Sequence, residues 1–204
     1  YNSGYDSLSG FGYTYKKILG QSPSGKASKI VLLLHRLTTP LGPMFACASD
    51  LGVCLLSFID QKNLENDLNK VQQHYKSEII IGENHHIRQL KKELQEYFDG
   101  VRQTFHVSLD LHGTDFQNRA WSELISIQYG STSSYHQLAE RIGQPQSSRA
   151  LGRANSSNKI SIVVPCHRVI GKDGHLHGYN GGVERKKWLI DFEQNMLKEC
   201  SKKE

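Results

Sequence analysis

From residue 30 onward the hydrophobic positions follow two different periods, and the change of period divides the chain. Short apolar runs over residues 31–37, 43–48 and 53–59 read as β-strands, with Asp50-Leu51-Gly52 as a hairpin turn and Gly52 in the left-handed region. A helical pattern over 62–75 and a further strand at Ile79-Ile80-Ile81 follow. Asn84 is placed to cap a helix that carries Ile87, Leu90, Leu94, Tyr97 and Phe98 at helical spacing, and Phe105-His106-Val107 is expected to return to the sheet. From Gly113 the pattern turns helical. Thr114-x-x-Gln117 and Ser134-x-x-Gln137 are capping-box signatures that open helices over 115–127 and 135–142. A turn at Gly143-Gln144-Pro145-Gln146, a helix over 147–156 and a long amphipathic helix from Val183 to about Lys198 complete the pattern. The expected fold class is α/β (α+β): a small N-terminal sheet-and-helix domain over 29–112, then a helical, winged helix-turn-helix-like domain over 113–204. Upstream, 7–19 reads as a helix ended by Gly20, and the small, polar stretch 22–28 as a linker.

Composition changes this picture little. The 204 residues carry 25 Lys and Arg against 20 Asp and Glu, a formal charge of +5. No apolar run approaches the length of a membrane helix and no signal peptide is visible, so no membrane partner is expected. The first residue is Tyr1, which reads as a processed chain or a fragment. Four cysteines without CxxC spacing, and histidines scattered away from them, argue for no metal, no cofactor and no disulfide. Cys47 and Cys54 are placed to face one another across a ladder as small core residues. A reduced cytoplasmic monomer with a reactive thiol is the expectation.

Charge distribution is more informative than its sum. Between Tyr135 and Lys172 stand Arg141, Arg149, Arg153, Lys159, Arg168 and Lys172 against Glu140 alone, a footprint that is either a solvated face or a polyanion site. The helix-turn-helix layout over 134–156 is compatible with an ordinary packed core and with a helix that enters a DNA groove. Its second helix carries Ser148, Arg149, Arg153 and Asn155, separated by small residues that admit a close backbone approach.

The chemistry centres on Pro165-Cys166-His167-Arg168, behind the apolar run Ile160-Ser161-Ile162-Val163-Val164. Adjacent cationic groups are expected to lower the thiol pKa and favour the nucleophilic thiolate. A cysteine hydrolase is disfavoured, because no glycine cluster suited to an oxyanion hole precedes Cys166.

Taken in order, Tyr135-x-x-Leu138-Ala139, Arg149-Ala150-x-Gly152, Asn158, Val164-Pro165-Cys166-His167-Arg168-Val169, Gly178-Tyr179-x-Gly181-Gly182 and Lys187-x-Leu189-x-x-x-Glu193 resemble the O6-alkylguanine-DNA alkyltransferases. The resemblance covers roughly 30–197. It implies double-stranded DNA containing O6-alkylguanine as partner and one irreversible transfer of the alkyl group to Cys166, with O4-alkylthymine as a further substrate. By the same resemblance His167 is the base, Glu193 its orienter, Asn158 the group that fixes the turn, and Tyr135 an acid toward N3 of the extruded guanine. Arg149 takes the place of the flipped base, and Ser134, Ser148, Arg153 and Asn155 lie toward the DNA. Pro165, Val169, Tyr179 and Asn180 line the base pocket. Asn155 and Asn180 depart from residues frequent in the family. A non-reacting lesion-recognition module and a transcription-regulator fragment are the alternatives, and the presence of Cys166 counts against the first. Upstream, Gly4-Tyr5-Asp6-Ser7-x-Ser9-x-Phe11, Lys16-Lys17, Leu19-Gly20 and Ser22-Pro23 resemble the end of an AraC-type DNA-binding unit. A truncated unit over 1–28 implies the alkylation-responsive, Ada-type arrangement, in which the full-length protein activates transcription.

Overall fold

A computed structural model describes residues 30–201; the helix expected over 7–19, the linker and the AraC-type resemblance lie outside the described residues. Strands β1 (Val31–Thr39), β2 (Gly42–Ala48) and β3 (Val53–Phe58) form an antiparallel meander, and β4 (Glu78–Ile81) adds beside β1 in parallel, giving the order β3-β2-β1-β4. The parallel return requires a crossover, supplied by α1 (Leu64–Tyr75). Helix α2 (His85–Phe98) follows, capped as its sequence predicts: the Ile87 amide donates to Asn84 Oδ1 at 3.0 Å.

The sheet is covered on both faces. Leu32, Leu34, Phe45, Leu55 and Ile79 pack with Leu64, Leu68 and Val71 of α1 in one cluster. Met44, Ala46, Leu56 and Phe58 join Leu90, Leu94 and Tyr97 of α2 in a second, which continues into the helical part through Trp121, Leu138, Leu151 and Leu189. Every residue of β3 is therefore buried, and its sequence reads as an apolar run broken only by Ser57.

Three local expectations are corrected. Gly52 does not adopt a positive φ; a side chain is excluded because a Cβ would meet the Ser108 carbonyl oxygen at 2.6 Å. Residues 105–107 do not join the sheet, because the Glu93 carboxylate accepts from the His106 and Val107 amides (2.8 and 3.1 Å) and takes the place of a ladder. Cys47 pairs with Leu55, and the register shift beside it makes Cys54 the extra residue of a bulge. Both thiols are free and buried, and Cys54 Sγ donates to the Cys47 carbonyl at 3.3 Å.

In the helical part both capping boxes form, on Thr114 and Gln117 before α3 (Asp115–Ile125) and on Ser134 and Gln137 before α4 (Tyr135–Arg141). Helix α5 (Ser148–Ser156) follows, and α6 (Val183–Cys200) closes the chain. Two short strands, β5 (Ser133–Ser134) and β6 (Val169–Ile170), pair in parallel. That ladder positions the site: β5 leads into Tyr135 and β6 leaves the turn of Cys166. No helix among the described residues is long and apolar enough to cross a membrane.

Candidate active site

The apolar run 160–164 makes one bridge, Ile160 to Leu56, and coils into turns, with Ile162 at φ 71°. It delivers Pro165 to the start of a single 3-10 turn, Cys166–Arg168. Asn158 holds this coil together. Its Nδ2 donates to the Val164 carbonyl (2.9 Å) and to Cys166 Sγ (3.1 Å), while its Oδ1 accepts from the Ile160 amide (2.9 Å). One buried side chain thus fixes both the backbone before the cysteine and the sulfur.

Cys166 is 2 % exposed. Burial pushes its thiol up, against the smaller opposing effects of the Asn158 hydrogen bond and the Lys186 charge. This overturns the expectation of a thiol lowered by adjacent cations. The cation next in sequence faces elsewhere: Arg168 donates through Nε and Nη2 to the two oxygens of Glu193 (2.9 and 3.0 Å) and through Nη1 to the Ile127 carbonyl (2.6 Å).

Glu193, 1 % exposed, is the hub of the site. Oε1 accepts from Tyr97 Oη (2.7 Å), His167 Nε2 (2.9 Å) and Arg168, and Oε2 from Arg168 and the Gly130 amide (3.0 Å). Burial alone would raise its carboxyl, but the hydrogen bonds and charges of His167 and Arg168 outweigh it and bring the pKa down to about 2. Gly130 can serve because it is bare: at φ 72° a Cβ would stand 2.3 Å from Leu197 Cδ1.

An anionic Glu193 sets the state of its neighbour. Full burial lowers the pKa of His167, against the opposing pull of Glu193, and keeps the ring neutral. With Nε2 facing a carboxylate, the remaining proton sits on Nε2. Nδ1 is then a bare lone pair, buried and without a protein partner. No direct hydrogen bond joins it to Cys166.

Tyr135, at the first position of α4, is partly buried, and its phenol is raised by burial and then by the nearby Cys166 charge. Asn155 Nδ2 approaches its hydroxyl at 3.5 Å. Asn155 is itself buried at 5 %, so its placement among the DNA-facing residues is corrected: its helix turns it inward, behind Tyr135. Tyr179 is buried with its ring edge-on to His167 at 6.4 Å. Gly181 allows this, since a Cβ there would meet the Tyr179 and Phe58 rings at 2.7 and 2.8 Å. Asn180 acts as a staple, Nδ2 donating to the carbonyls of Ser156 (2.9 Å) and Asn158 (3.3 Å). Val169 is buried, and its carbonyl accepts from Lys186 Nζ at 2.6 Å.

Sequence-distant Cys166, His167, Glu193, Asn158, Tyr135, Asn155, Tyr179 and Asn180 therefore converge. Arg149 and Arg153 stand exposed on α5, and with Ser148 and Tyr135 they line a cleft of about 710 Å³. Ser134 has its hydroxyl engaged as the α4 cap. Three contributors escape sequence reading: Tyr97, which reads only as part of an apolar stripe; Gly130; and Lys186. The last is fully buried and also donates to the His177 carbonyl at 2.9 Å, although within Arg185-Lys186-Lys187 it resembles a surface residue.

Two family models match the chain: the ribonuclease-like domain of 6-O-methylguanine DNA methyltransferase over residues 32–111, and the DNA binding domain of 6-O-methylguanine DNA methyltransferase over 115–195. The methylated-DNA–protein-cysteine methyltransferase of Mycobacterium leprae is 44 % identical over 161 residues, 79 % of this chain and 92 % of that protein. Its namesake in Mycobacterium tuberculosis is 52 % identical over 103 residues, 50 % of this chain, and the match spans only 62 % of that relative. The crystal structure of Mycobacterium tuberculosis O6-methylguanine methyltransferase superposes with a TM-score of 0.69 at 36 % identity, covering 81 % of this chain and 94 % of that one. A structure from the same bacterium in complex with DNA gives 0.69 at 35 %, covering 82 % and 94 %.

Proposed function

The chain belongs to the 6-O-methylguanine DNA methyltransferase family, and from that membership we propose that it repairs alkylated DNA by accepting the alkyl group on Cys166. The observation that carries this reading is the buried Cys166 turn, with a neutral His167 anchored on Glu193 and its Nδ1 lone pair unpartnered. His167 Nδ1 takes the thiol proton through a water. The thiolate attacks the alkyl carbon, the C–S bond forms as the C–O6 bond breaks, and the electron pair passes to the guanine. Tyr135 supplies a proton at N3, so that a neutral base leaves. The thioether is stable and the protein acts once.

The partner in this reading is double-stranded DNA, from which the nucleotide is extruded to reach a buried sulfur. Arg149 enters the stack, while Ser148 and Arg153 face the backbone; Ser134 contributes by capping α4. The carbonyls of Cys166 and Val169 accept from the exocyclic amine, Tyr179 stacks on the base, and Pro165 shapes the turn. The stapled loop at Asn180 presents its backbone to O6. Residues 29–112 form one domain and 113–204 the catalytic, DNA-binding one.

Incubation with a duplex carrying one O6-methylguanine should add one methyl, by intact mass, on the peptide that contains Cys166. Lesion binding without any mass gain would instead make the chain a recognition module, and a methyl on another residue would refute the assignment.

The Ada-type reading of residues 1–28 stands on their AraC-like sequence; both family matches begin beyond them. Its test is lesion-dependent activation of transcription in vitro by the full-length protein. A transcript level unmoved by methylation would end it.

A further inference from the structure

The cleft beside α5 has a second wall. Opposite Arg149 and Arg153 stand Asn66, Asp67 and Lys70 of α1, with Lys159 also lining it. Several cations elsewhere in the protein are matched to carboxylates: Arg102 to Glu96, Arg168 to Glu193, Arg185 to Asp60, Lys187 to Asp191. In the cleft they are not. Among the described residues, the side chains of Arg149, Arg153, Lys159 and Lys70 have no hydrogen bond and no ion pair within 4.0 Å. Asp67 is the carboxylate in this wall. It accepts from Gln61 Nε2 at 3.4 Å, is half-buried, and acts on Lys70 and Lys159 only at longer range. Lys70 in turn repels Lys159.

Four cations and one carboxylate converging from two parts of the fold form a site for a polyanion that spans both walls. A phosphodiester backbone fits this arrangement, because its charges repeat along a strand while Asn66 can donate to phosphate oxygens. We propose that α1 of the sheet region is a second DNA-binding wall, in which Lys70 and Lys159 each contact a phosphate of the strand that runs along α5. This rests on the reading of DNA as partner. It makes the sheet region part of the DNA site as well as a support for it.

The test is the salt dependence of binding to an undamaged duplex, measured by fluorescence anisotropy with the full chain. Each lost phosphate contact flattens the slope of log K against log salt by about 0.9. Between about 50 and 200 mM salt the affinity of Lys70→Ala should therefore fall about 3.5-fold less than that of the unaltered protein. Lys91→Ala removes an equal charge outside the cleft and should keep the original slope. Methylation of Cys166 by free O6-methylguanine base, which needs no phosphate contact, should be unchanged in Lys70→Ala. The proposal is overturned by an unchanged slope in Lys70→Ala, by an equal flattening in Lys91→Ala, or by loss of the free-base reaction together with the slope. Failure of the methyl-acceptor reading shows separately, as no mass gain from lesion DNA in the unaltered protein.

Discussion

Replacing Glu193 with alanine is expected to destabilise the protein by about 3–5 kcal/mol and to abolish methyl acceptance. Five donor groups from four residues converge on this carboxylate, and Arg168, which supplies two of them, is permanently charged and 5 % exposed. Removing the anion leaves an unpaired buried guanidinium, an unsatisfied Tyr97 hydroxyl and a free Gly130 amide. Urea unfolding should show a lower midpoint at nearly the same slope. Glu193→Gln, which keeps the shape and loses the charge, should lie between the two and still transfer slowly. A loss under about 1 kcal/mol for Glu193→Ala would show that the hub does not hold these elements together. Acid titration reads the same interaction. The Glu193 carboxyl is depressed in the folded state, from 4.5 to about 2. Its contribution is therefore fully present above pH 4.5 and fades as pH falls through that interval toward 2. Protonation of His167, whose folded pKa also lies below its usual 6.5, destabilises in the same direction, beginning as pH drops below 6.5.

Replacing His167 with alanine is expected to slow methyl transfer by about 10²–10⁴-fold and to change the shape of its pH profile. Burial holds the Cys166 thiol above its usual 9.0, so unaided thiolate formation would make the rate climb about tenfold per pH unit across neutrality. With His167 as base, its protonation state governs instead. The unaltered protein should then react at a nearly constant rate across neutrality and lose activity only at a pH below 6.5, where the lowered folded-state pKa finally lets the ring become charged. His167→Ala should be slow at neutrality and recover steadily with alkali. Single-turnover rates on a lesion duplex between pH 5 and 9 distinguish the two cases, and a steep neutral rise in the unaltered protein would remove His167 from the proton path. The alkaline recovery of the variant separates loss of a base from loss of fold.

Features set by neighbours a few residues apart are legible in the amino-acid sequence. Each capping box involves residues three apart, and both form as written. The Asn84 cap, the meander of strands and the helix-turn-helix are likewise local patterns, and their boundaries differ from observation by only a residue or two. Pro165-Cys166-His167-Arg168 marks the candidate nucleophile. The roles of Asn158, Glu193 and Tyr135 came from family resemblance, since nothing in their own surroundings distinguishes them from surface or core residues.

Which groups meet, and how far from water, emerges from the packing of distant elements. Tyr97 and Glu193 are 96 positions apart and Gly130 and Glu193 are 63 apart, distances at which no periodicity carries information. Arg168 beside Cys166 suggested a lowered thiol, yet a carboxylate 25 positions away claims the guanidinium, and burial then pushes the thiol up. The family resemblance puts Asn155 toward the DNA, whereas packing turns it behind Tyr135. Lys186 looked like surface, and Lys70 belonged to another part of the chain from Arg149. The physical reason is common to all of these. Caps and periods are set by bonds within a few residues, whereas desolvation and charge pairing depend on every element packed around a group, and those neighbours exist only once the chain has folded.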